Sequence, residues 1–291
     1  MTFEKKLKSY RKASKLSQEK MAELLNVSRQ AVTKWETGTG TPDISNLIAI
    51  SNLFHISLDD LLAIQNPTQT PDCLYQSYIS YDIAELKHFD IRLGGAHHLH
   101  LQIVDSEKVE IKLASNSLQQ LDKILKFKID DSRSKLDLEL NRLADLTEAR
   151  AKKELSIFIT LPQKYLRDVE IAVNCPQVEL NNLVIEQLEL DGKVEQVIIN
   201  GGQGELEINS NLDMLVNIIS FTGTVALNQI SATSRLQVPA DYDFKTKQKG
   251  LANKILFEEE QDIAENCSNP DTENIIELNG MKSELLIIPY K

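Results

Sequence analysis

SQEKMAELLNVSRQAVTKWETG, residues 17–38, contains two short helical patterns separated by a turn. Apolar residues recur in it at spacings of three and four, the period of an α-helix with one buried face. Ser17 and Ser28 each stand just before such a pattern, where a hydroxyl can accept a hydrogen bond from a free backbone N–H. The stretch therefore predicts one helix over residues 18–25 and a second over residues 29–36.

The turn between these helices and the end of the second one carry their own signals. Asn26 stands at the turn, and after glycine asparagine is the residue that best tolerates a left-handed backbone. Gly38 ends the second helix, since glycine adopts that conformation at a helix C-terminus without strain. The predicted apolar contact between the two helices consists of Met21, Ala22, Leu25, Val32 and Trp35.

The second helix has a polar face opposite Val32 and Trp35. From a helix in the major groove of DNA, arginine can read guanine and glutamine can read adenine. Gln18, in the first turn of the preceding helix, is predicted to clamp a backbone phosphate. Trp35 is predicted to be a core residue, whereas Glu36 and Asp43 are predicted to face solvent or to cap a helix. The predicted DNA-binding residues are Gln18, Ser28, Arg29, Gln30, Thr33 and Lys34.

Residues 1–64 as a whole predict an all-α domain. Thr41-Pro42-Asp43 is expected to open the fourth helix with a cap followed by a proline in the first turn, where its missing N–H costs nothing. Five helices are expected, over residues 2–14, 18–25, 29–36, 44–54 and 58–63.

Residues 7–62 resemble the lambda-repressor-like, xenobiotic-response-element family of helix-turn-helix proteins. The residues that carry the resemblance are LSQEKMAELLNVSRQAVTKWETG followed by PDISNLIAISNLFHISLDDLL. The resemblance implies that Gln18 binds backbone phosphate and that Arg29, Gln30 and Lys34 contact bases.

The sequence departs from that family pattern at two places. Asn26 stands where glycine is frequent, which is a mild change because both residues tolerate the left-handed conformation. Thr39-Gly40-Thr41 stands where the family often has a basic residue, so one phosphate contact is expected to be missing.

A change of pattern after residue 64 predicts a second domain. QNPTQTPD, residues 65–72, predicts an extended linker because its prolines and polar residues leave little to pack. After a short helix expected near Leu74–Leu86, the period changes to two over residues 73–291, which is typical of strands. Turns such as GGQG, residues 201–204, are predicted to separate short strands.

Apolar triplets recur in this part at a loose spacing of about twenty to thirty residues. The spacing predicts an all-β domain that is β-solenoid-like, with a β-sandwich as the alternative. ITLPQKYLRDVEIAV and the later VPADYDF resemble the adhesin-like repeat domains of bacterial envelope-stress proteins. This resemblance covers about residues 90–291 and implies no known chemistry.

The formal net charge of -11 is unevenly distributed. Residues 1–64 carry nine Lys/Arg and seven Asp/Glu, whereas residues 65–291 carry 23 and 36, so only the first part suits a polyanion. The charged start and the absence of a long apolar run predict a cytoplasmic protein with no membrane insertion. Cys73, Cys175 and Cys267 are far apart and are predicted to be reduced, buried thiols.

Catalysis finds little support in the sequence. His98 and His100 would share one strand face, yet no third ligand stands at a convincing spacing, so both are predicted to be ordinary surface or core histidines. No nucleophile or acid–base constellation is apparent. The sequence therefore predicts no enzyme activity, no cofactor and no metal site.

The leading hypothesis is a sequence-specific transcriptional regulator that reads an operator through the major groove with the helix at residues 29–36. A homodimer on double-stranded DNA is expected, because two modules on neighbouring half-sites supply the affinity that one lacks. The β domain is expected to sense a small-molecule, peptide or protein signal or to hold subunits together. The alternative is a protein- or peptide-binding β scaffold that uses the helical unit for assembly.

Overall fold

The structure is a computed structural model that describes residues 3–14, 16–54, 73–143, 146–258 and 271–290. The chain divides into two compact units, Met1–Gln69 and Thr70–Lys291. The linker predicted over residues 65–72 and the helix predicted over residues 58–63 lie outside the described residues. Within the described ranges, no helix is both long enough and apolar enough to cross a membrane.

The described part of the N-terminal unit contains four helices, and their bounds depart from the predicted ranges by no more than one residue. The Oγ of Ser17 accepts a hydrogen bond from the backbone N of Lys20 at 3.0 Å, and the Oγ of Ser28 accepts one from Ala31 at 3.1 Å. Both predicted caps are confirmed. The helices are α1 (Phe3–Ala13), α2 (Gln18–Leu24), α3 (Arg29–Thr37) and α4 (Ile44–Phe54).

The predicted left-handed positions are confirmed, but one cap is different. Asn26 has φ 54° and Gly38 has φ 73°. Helix α4 begins after Asp43, whose Oδ1 accepts a hydrogen bond from the backbone N of Asn46 at 2.8 Å. The prediction that Thr41 caps this helix with Pro42 in its first turn is therefore wrong, because the carboxylate of Asp43 is the group that reaches a free N–H.

One apolar cluster holds the four helices together. Trp35 is only 6% exposed, which confirms it as a core residue, and the predicted contact between α2 and α3 is buried as expected. Leu7 of α1 and Ile50 of α4 join the cluster, so each of the four helices contributes at least one fully buried side chain. The cluster consists of Leu7, Met21, Ala22, Leu25, Val32, Trp35 and Ile50.

The described part of the C-terminal unit contains fifteen strands, two short α-helices and one turn of 3-10 helix over Gln163–Tyr165. The helices are α5 (Leu121–Ile124) and α6 (Glu148–Glu154). The strands are β1 (Tyr75–Asp82), β2 (Lys87–Gly95), β3 (His98–Val104), β4 (Lys108–Ser115), β5 (Leu125–Asp131), β6 (Lys135–Arg142), β7 (Ser156–Pro162), β8 (Leu166–Asp191), β9 (Val194–Asn209), β10 (Leu215–Ile230), β11 (Thr233–Pro239), β12 (Lys245–Gln248), β13 (Lys254–Phe257), β14 (Ile275–Met281) and β15 (Glu284–Tyr290).

The helix predicted near Leu74–Leu86 is wrong, because β1 occupies this stretch and pairs antiparallel with β4. Tyr75, Ser77, Ile79 and Tyr81 alternate in burial with exposed neighbours, and tyrosine and isoleucine favour strands. The prediction that GGQG forms a turn between two strands is also wrong, because residues 201–204 lie inside β9.

Strands β8, β9 and β10 stack in parallel, and each coil of the chain repeats the one before it. Val178 pairs with Val197, and Val197 pairs with Val216, so the chain advances 19 residues from one coil to the next. Each coil contributes one strand segment to each of two walls, whose inward side chains share a single buried cluster. The first wall also contains β5, β6, β2, β14 and β12, and the second also contains β1, β4, β7, β3, β11, β15 and β13.

The last two strands are inserted into the stack rather than added at its end. Strand β14 pairs with β10 on one side and β12 on the other, and β15 lies in the same way between β11 and β13. The short strands β12 and β13 therefore form the edge. They carry Lys245, Lys247 and Lys254, and short, lysine-bearing edge strands resist unwanted pairing with other chains.

Two paired glycines allow neighbouring coils to approach closely. Gly204 has φ 136° and pairs with Gly223, which has φ 122°. A Cβ on Gly204 would lie 1.9 Å from the carbonyl oxygen of Ile185, so no side chain fits at this position. Gly201 is different, because a Cβ there would meet nothing closer than 3.3 Å, although its φ is 86°.

Gly204→Ala is expected to lower the free energy of unfolding of the β unit by about 3 kcal/mol or more, because the added methyl forces adjacent coils apart. Gly201→Ala, the matched control, is expected to cost only about 1 kcal/mol, which reflects its positive φ alone. Urea unfolding followed by the circular dichroism of the strands measures both. Equal losses for the two variants would contradict the close approach of the coils.

Candidate nucleic-acid interface

Helix α3 presents one polar row to solvent and one apolar row to the core. Arg29, Gln30, Thr33 and Lys34 are exposed, whereas Val32 is fully buried. Ser28 is also exposed, and its hydroxyl serves as the N-cap of the helix. The structure therefore places the predicted residues of this helix on one accessible surface, and their contact with DNA stays a prediction.

Arg29 has an acidic partner on the neighbouring helix. Its Nη1 lies 2.7 Å from the Oε1 of Glu19, and both side chains are more than 60% exposed. Because exposed ion pairs contribute only about 0–1 kcal/mol, this contact orients the guanidinium without preventing its exchange for another acceptor.

Gln18 links helix α2 to helix α3. Its Nε2 donates to the Oε2 of Glu36 at 2.7 Å, and its Oε1 accepts a hydrogen bond from the hydroxyl of Thr33 at 3.3 Å. The hydroxyl of Thr33 also donates to the carbonyl oxygen of Arg29 at 3.0 Å. The amide that is predicted to bind phosphate is thus held at a defined position beside the exposed row of α3.

Glu36 is buried, which makes the prediction of a solvent-facing or capping role wrong. Arg11 of α1 binds it through two hydrogen bonds, from Nε to Oε1 at 2.5 Å and from Nη2 to Oε2 at 3.0 Å. Burial alone would raise the pKa of Glu36, but hydrogen bonds from Arg11 and Gln18 outweigh it and hold that pKa below its ordinary value. The hydrogen bond to Glu36 likewise raises the pKa of Arg11.

Sequence reasoning missed this network because its two charged members are 25 residues apart. A signal was nevertheless present. Glu36 stands four residues after Val32 and next to Trp35, which places it on the buried side of α3. A carboxylate at such a position needs a partner, since a buried charge without one is costly.

The loop after α3 is held against the backbone of Lys34. The backbone N of Thr39 donates to the carbonyl oxygen of Lys34 at 3.0 Å, and a Cβ on Gly40 would lie 3.3 Å from the Cβ of Lys34. The loop therefore positions Lys34 although it lacks a basic residue of its own.

His98 and His100 lie on one face of β3, as predicted, and a carboxylate joins them. Glu179 of β8 lies 3.3 Å from the Nε2 of His98 and 3.3 Å from the Nδ1 of His100. Both histidines hold the pKa of the Glu179 carboxyl well below its ordinary range, the hydrogen bond from His100 having the larger effect. In the part of the chain that the structure describes, no group of three or more His, Cys, Asp or Glu residues is arranged to hold a metal ion.

The described cysteines are free thiols. Cys175 is buried as predicted, and burial raises the pKa of its thiol to about 11. Cys73 is only half-buried, so the prediction of full burial is wrong for it, because it precedes β1 and is not one of the alternating strand residues that face the core. Cys267 lies outside the described residues.

The outward side of the first wall, here called the acidic face, carries a column of nine residues, seven of which are carboxylates. Asp90 is paired with Lys135 at 3.0 Å near one end, and Glu277 is paired with Lys249 at 2.6 Å near the other. Between them, burial and neighbouring carboxylates, Asp191 foremost, raise the pKa of Glu189. The column consists of Asp130, Asp137, Asp90, Glu170, Glu189, Glu207, Ala226, Glu277 and Lys247.

The outward side of the second wall, here called the neutral face, has a different composition. Amide and aliphatic side chains dominate its two in-register columns. The first column is Ser156, His98, Gln177, Gln196, Leu215, Arg235, Leu286 and Leu256, and the second is Phe158, His100, Glu179, Ile198, Asn217, Gln237 and Ile288.

Residues 7–61 match the family model described as Helix-turn-helix. Over 63 residues the chain is 44% identical to the HTH-type transcriptional activator BcrR of Enterococcus faecalis, covering 22% of this chain and 31% of that protein. Over 60 residues it is 47% identical to the uncharacterized HTH-type transcriptional regulator YqaE of Bacillus subtilis, covering 21% and 52%. It is also 34% identical over 61 residues to the cryptic phage CTXphi transcriptional repressor RstR of Vibrio cholerae, covering 21% and 54%. The chain thus spans between about a third and about half of these relatives' lengths.

Solved structures with adhesin names align with about three quarters of the chain. A "putative cell adhesion protein" from Clostridium sporogenes aligns at 13% identity with a TM-score of 0.35, covering 74% of this chain and 100% of that one. A "putative adhesin" from Bacteroides fragilis aligns at 11% identity with a TM-score of 0.37, covering 75% and 98%. Similarity this low carries no functional implication for the β unit.

Glu36→Gln is expected to lower the free energy of unfolding of the helical unit by about 3 kcal/mol, because it leaves the charge of Arg11 buried without its partner. Urea unfolding followed by the fluorescence of Trp35, the single tryptophan, reports on this unit alone. Glu23→Gln is the control, since it breaks an exposed pair with Lys20 and should cost no more than about 0.5 kcal/mol. Similar losses for the two variants would contradict the buried pair.

The same pair predicts a pH dependence. Because the folded-state pKa of Glu36 is lowered, its contribution to stability is complete above the unfolded-state value of about 4.3 and is lost as the pH falls through the folded-state value. The fluorescence midpoint in urea should therefore fall more steeply below about pH 4 in the wild type than in Glu36→Gln. Parallel curves for the two proteins would contradict this assignment.

Proposed function

We propose that this protein is a DNA-binding transcriptional regulator whose helix α3 reads a specific operator in the major groove. The observation that carries the proposal is the exposed row of arginine, glutamine, threonine and lysine on a helix whose opposite row is locked into the core. The family match over residues 7–61 and the relatives named as transcriptional regulators support it.

Each side chain in the proposed interface has a role that follows from its position. Arg29 and Gln30, in the first turn of α3, read base edges, since that end of a recognition helix enters the groove. Lys34, one turn later, contacts a base or a phosphate. Gln18 binds a phosphate, supported by the free backbone N–H groups at the start of α2. Thr33 completes the surface and orients Gln18.

The proposed role of the β unit is binding rather than catalysis. Its acidic face would repel phosphates, which supports the assignment of DNA contact to the helical unit. We assign the β unit to the β-solenoid class, because successive coils pair in parallel at a 19-residue advance, whereas sandwich strands are antiparallel. We further assign a homodimer to the DNA-bound state, since paired modules match paired half-sites.

Arg29→Ala is expected to relax specificity at one base pair, because a bidentate contact to guanine is worth about 1–3 kcal/mol of discrimination. Gln18→Ala is expected to weaken binding to every duplex by a similar factor, since phosphate contacts carry no sequence information. Fluorescence anisotropy with a duplex chosen by the wild-type protein, and with its single base-pair variants, measures both effects.

Arg150→Ala is the matched control. Arg150 is an exposed arginine of the β unit, and its side chain forms an ion pair with Glu154. It should bind all the duplexes as the wild type does. Uniform weakening by Arg29→Ala across all variants, or an unchanged affinity for Gln18→Ala, would contradict these roles.

A further inference from the structure

Strand β1 has an unprotected edge. Among the described residues, four strands of the β unit are paired on one side only, namely β1, β5, β12 and β13. Native proteins protect such edges with charged residues or keep the strands short. Strands β12 and β13 are four residues long and carry lysines, and β5, LKFKIDD, alternates lysine with apolar residues before two aspartates. Strand β1, YQSYISYD, has eight residues, neither proline nor glycine, and no charge before Asp82.

The pairing of β1 with β4 identifies the backbone groups along this free edge. The backbone N of Ile83 donates to the carbonyl oxygen of Glu107 at 3.1 Å, in the register that β1 and β4 share. In an antiparallel pair, hydrogen-bonded positions alternate with positions whose N–H and C=O groups point the other way. The odd-numbered residues of β1 therefore bond to β4. The even-numbered residues, among them Gln76, Tyr78 and Ser80, direct their N–H and C=O groups toward the free edge.

The side chains of β1 divide in the same way. The odd-numbered ones face inward, where Tyr75, Ile79 and Tyr81 pack against the buried cluster. The even-numbered ones are exposed, with Tyr78 at 60%. A strand added at this edge must keep its own apolar side on the core side, because a shift of one residue would turn that side to solvent.

An antiparallel copy of β1 meets these requirements when even-numbered residues lie opposite even-numbered residues. With the two Tyr78 residues opposite each other on a two-fold axis, Gln76 of each copy lies opposite Ser80 of the other. About six backbone hydrogen bonds then form across the edge. On the inward side, Tyr75 of each copy lies opposite Tyr81 of the other, and aromatic cross-strand pairs of this kind stabilise sheets.

Charge and symmetry also suit a second copy. In this register the two Asp82 carboxylates lie at opposite ends of the paired strands, about 27 Å apart, so they do not repel each other strongly. An isologous interface requires such self-complementarity. Two paired strands bury less area than a standard interface, and main-chain hydrogen bonds supply the affinity when a strand is added to a sheet. The dimer is therefore expected to be weak.

We propose that β1 is the edge through which two copies of this chain dimerise. The two β1 strands pair antiparallel around a two-fold axis at Tyr78, and the second walls of the two copies become one continuous sheet. The role of this dimer rests on the proposed function, because the pairing supplies the second DNA-reading module that paired half-sites require.

Sedimentation velocity of the full chain without DNA, at concentrations from roughly 10 to 300 µM, tests the pairing. The wild type is expected to dimerise with a dissociation constant of roughly 10–100 µM, as suits a small interface. Ser80→Pro is expected to raise this constant about 10-fold or more, because proline removes the N–H that Ser80 directs toward the partner. That N–H makes no bond to β4, and edge strands tolerate proline at such positions. Ser80→Ala, the matched control, keeps the N–H and should dimerise as the wild type does.

Tyr78→Lys is a second variant that acts through the side chain. It places two lysines opposite each other at the two-fold axis, each beside Lys112 of β4, and like charges directly opposite are unfavourable. The dissociation constant should again rise about 10-fold or more. Leu256→Lys is its control, since it adds the same charge at an exposed position of β13, and it should leave the dimer intact. Urea unfolding followed by circular dichroism shows that each variant is folded.

The proposal is overturned by a wild type that stays monomeric at roughly 300 µM, which would leave the edge to a strand of another protein. It is also overturned if Ser80→Pro or Tyr78→Lys dimerises as the wild type does, or if either control is monomeric. Because these measurements omit DNA, binding of Ser80→Pro to a single half-site duplex separates the two ideas. Retained binding by a folded monomer supports both, and its loss counts against the proposed function alone.

Discussion

The buried ion pair between Arg11 and Glu36 is the interaction on which the helical unit depends. It ties α1 to α3, and because Glu36 also accepts a hydrogen bond from Gln18, it ties α2 to both. Apolar packing at Trp35 brings the helices together, but it is the directional contacts of this network that set the position of Gln18 relative to the exposed row of α3. The residues proposed to bind DNA therefore lie above a buried carboxylate whose hydrogen bonds are satisfied by Arg11 and Gln18.

In the β unit the corresponding constraint is the in-register stacking of coils. In-register stacking aligns like residues. A 19-residue advance stacks valine on valine inside. Outside, Asp191, Asn209, Asn228 and Asn279, which are 18, 19 and 51 residues apart, form a hydrogen-bonded ladder with distances of 2.8, 2.6 and 2.8 Å. The same alignment concentrates carboxylates on one wall and amide and aliphatic residues on the other. Two outer surfaces with different chemistry follow from one repeat.

The sequence predicted the helical unit well because its signals are local. Ser17, Ser28, Asn26 and Gly38 each act on backbone within four residues, and the structure places all four as expected. Features that depend on distant residues were missed, namely the partner of Glu36, the carboxylate between His98 and His100, and the insertion of β14 and β15 between earlier coils. The glycines in residues 201–204 predicted a turn between two strands. The chain does bend there, but strand pairing with the neighbouring coils continues through the bend, so residues 201–204 stay within β9.

Selection of bound duplexes from a random DNA pool by the full chain, at two salt concentrations, distinguishes operator reading by α3 from nonspecific attraction to DNA. If α3 reads an operator, one motif with two half-sites about one helical turn apart is enriched, and it is recovered at both concentrations because base contacts add to phosphate contacts. No enriched motif, with binding lost at the higher salt concentration, would show only nonspecific attraction and would contradict operator reading.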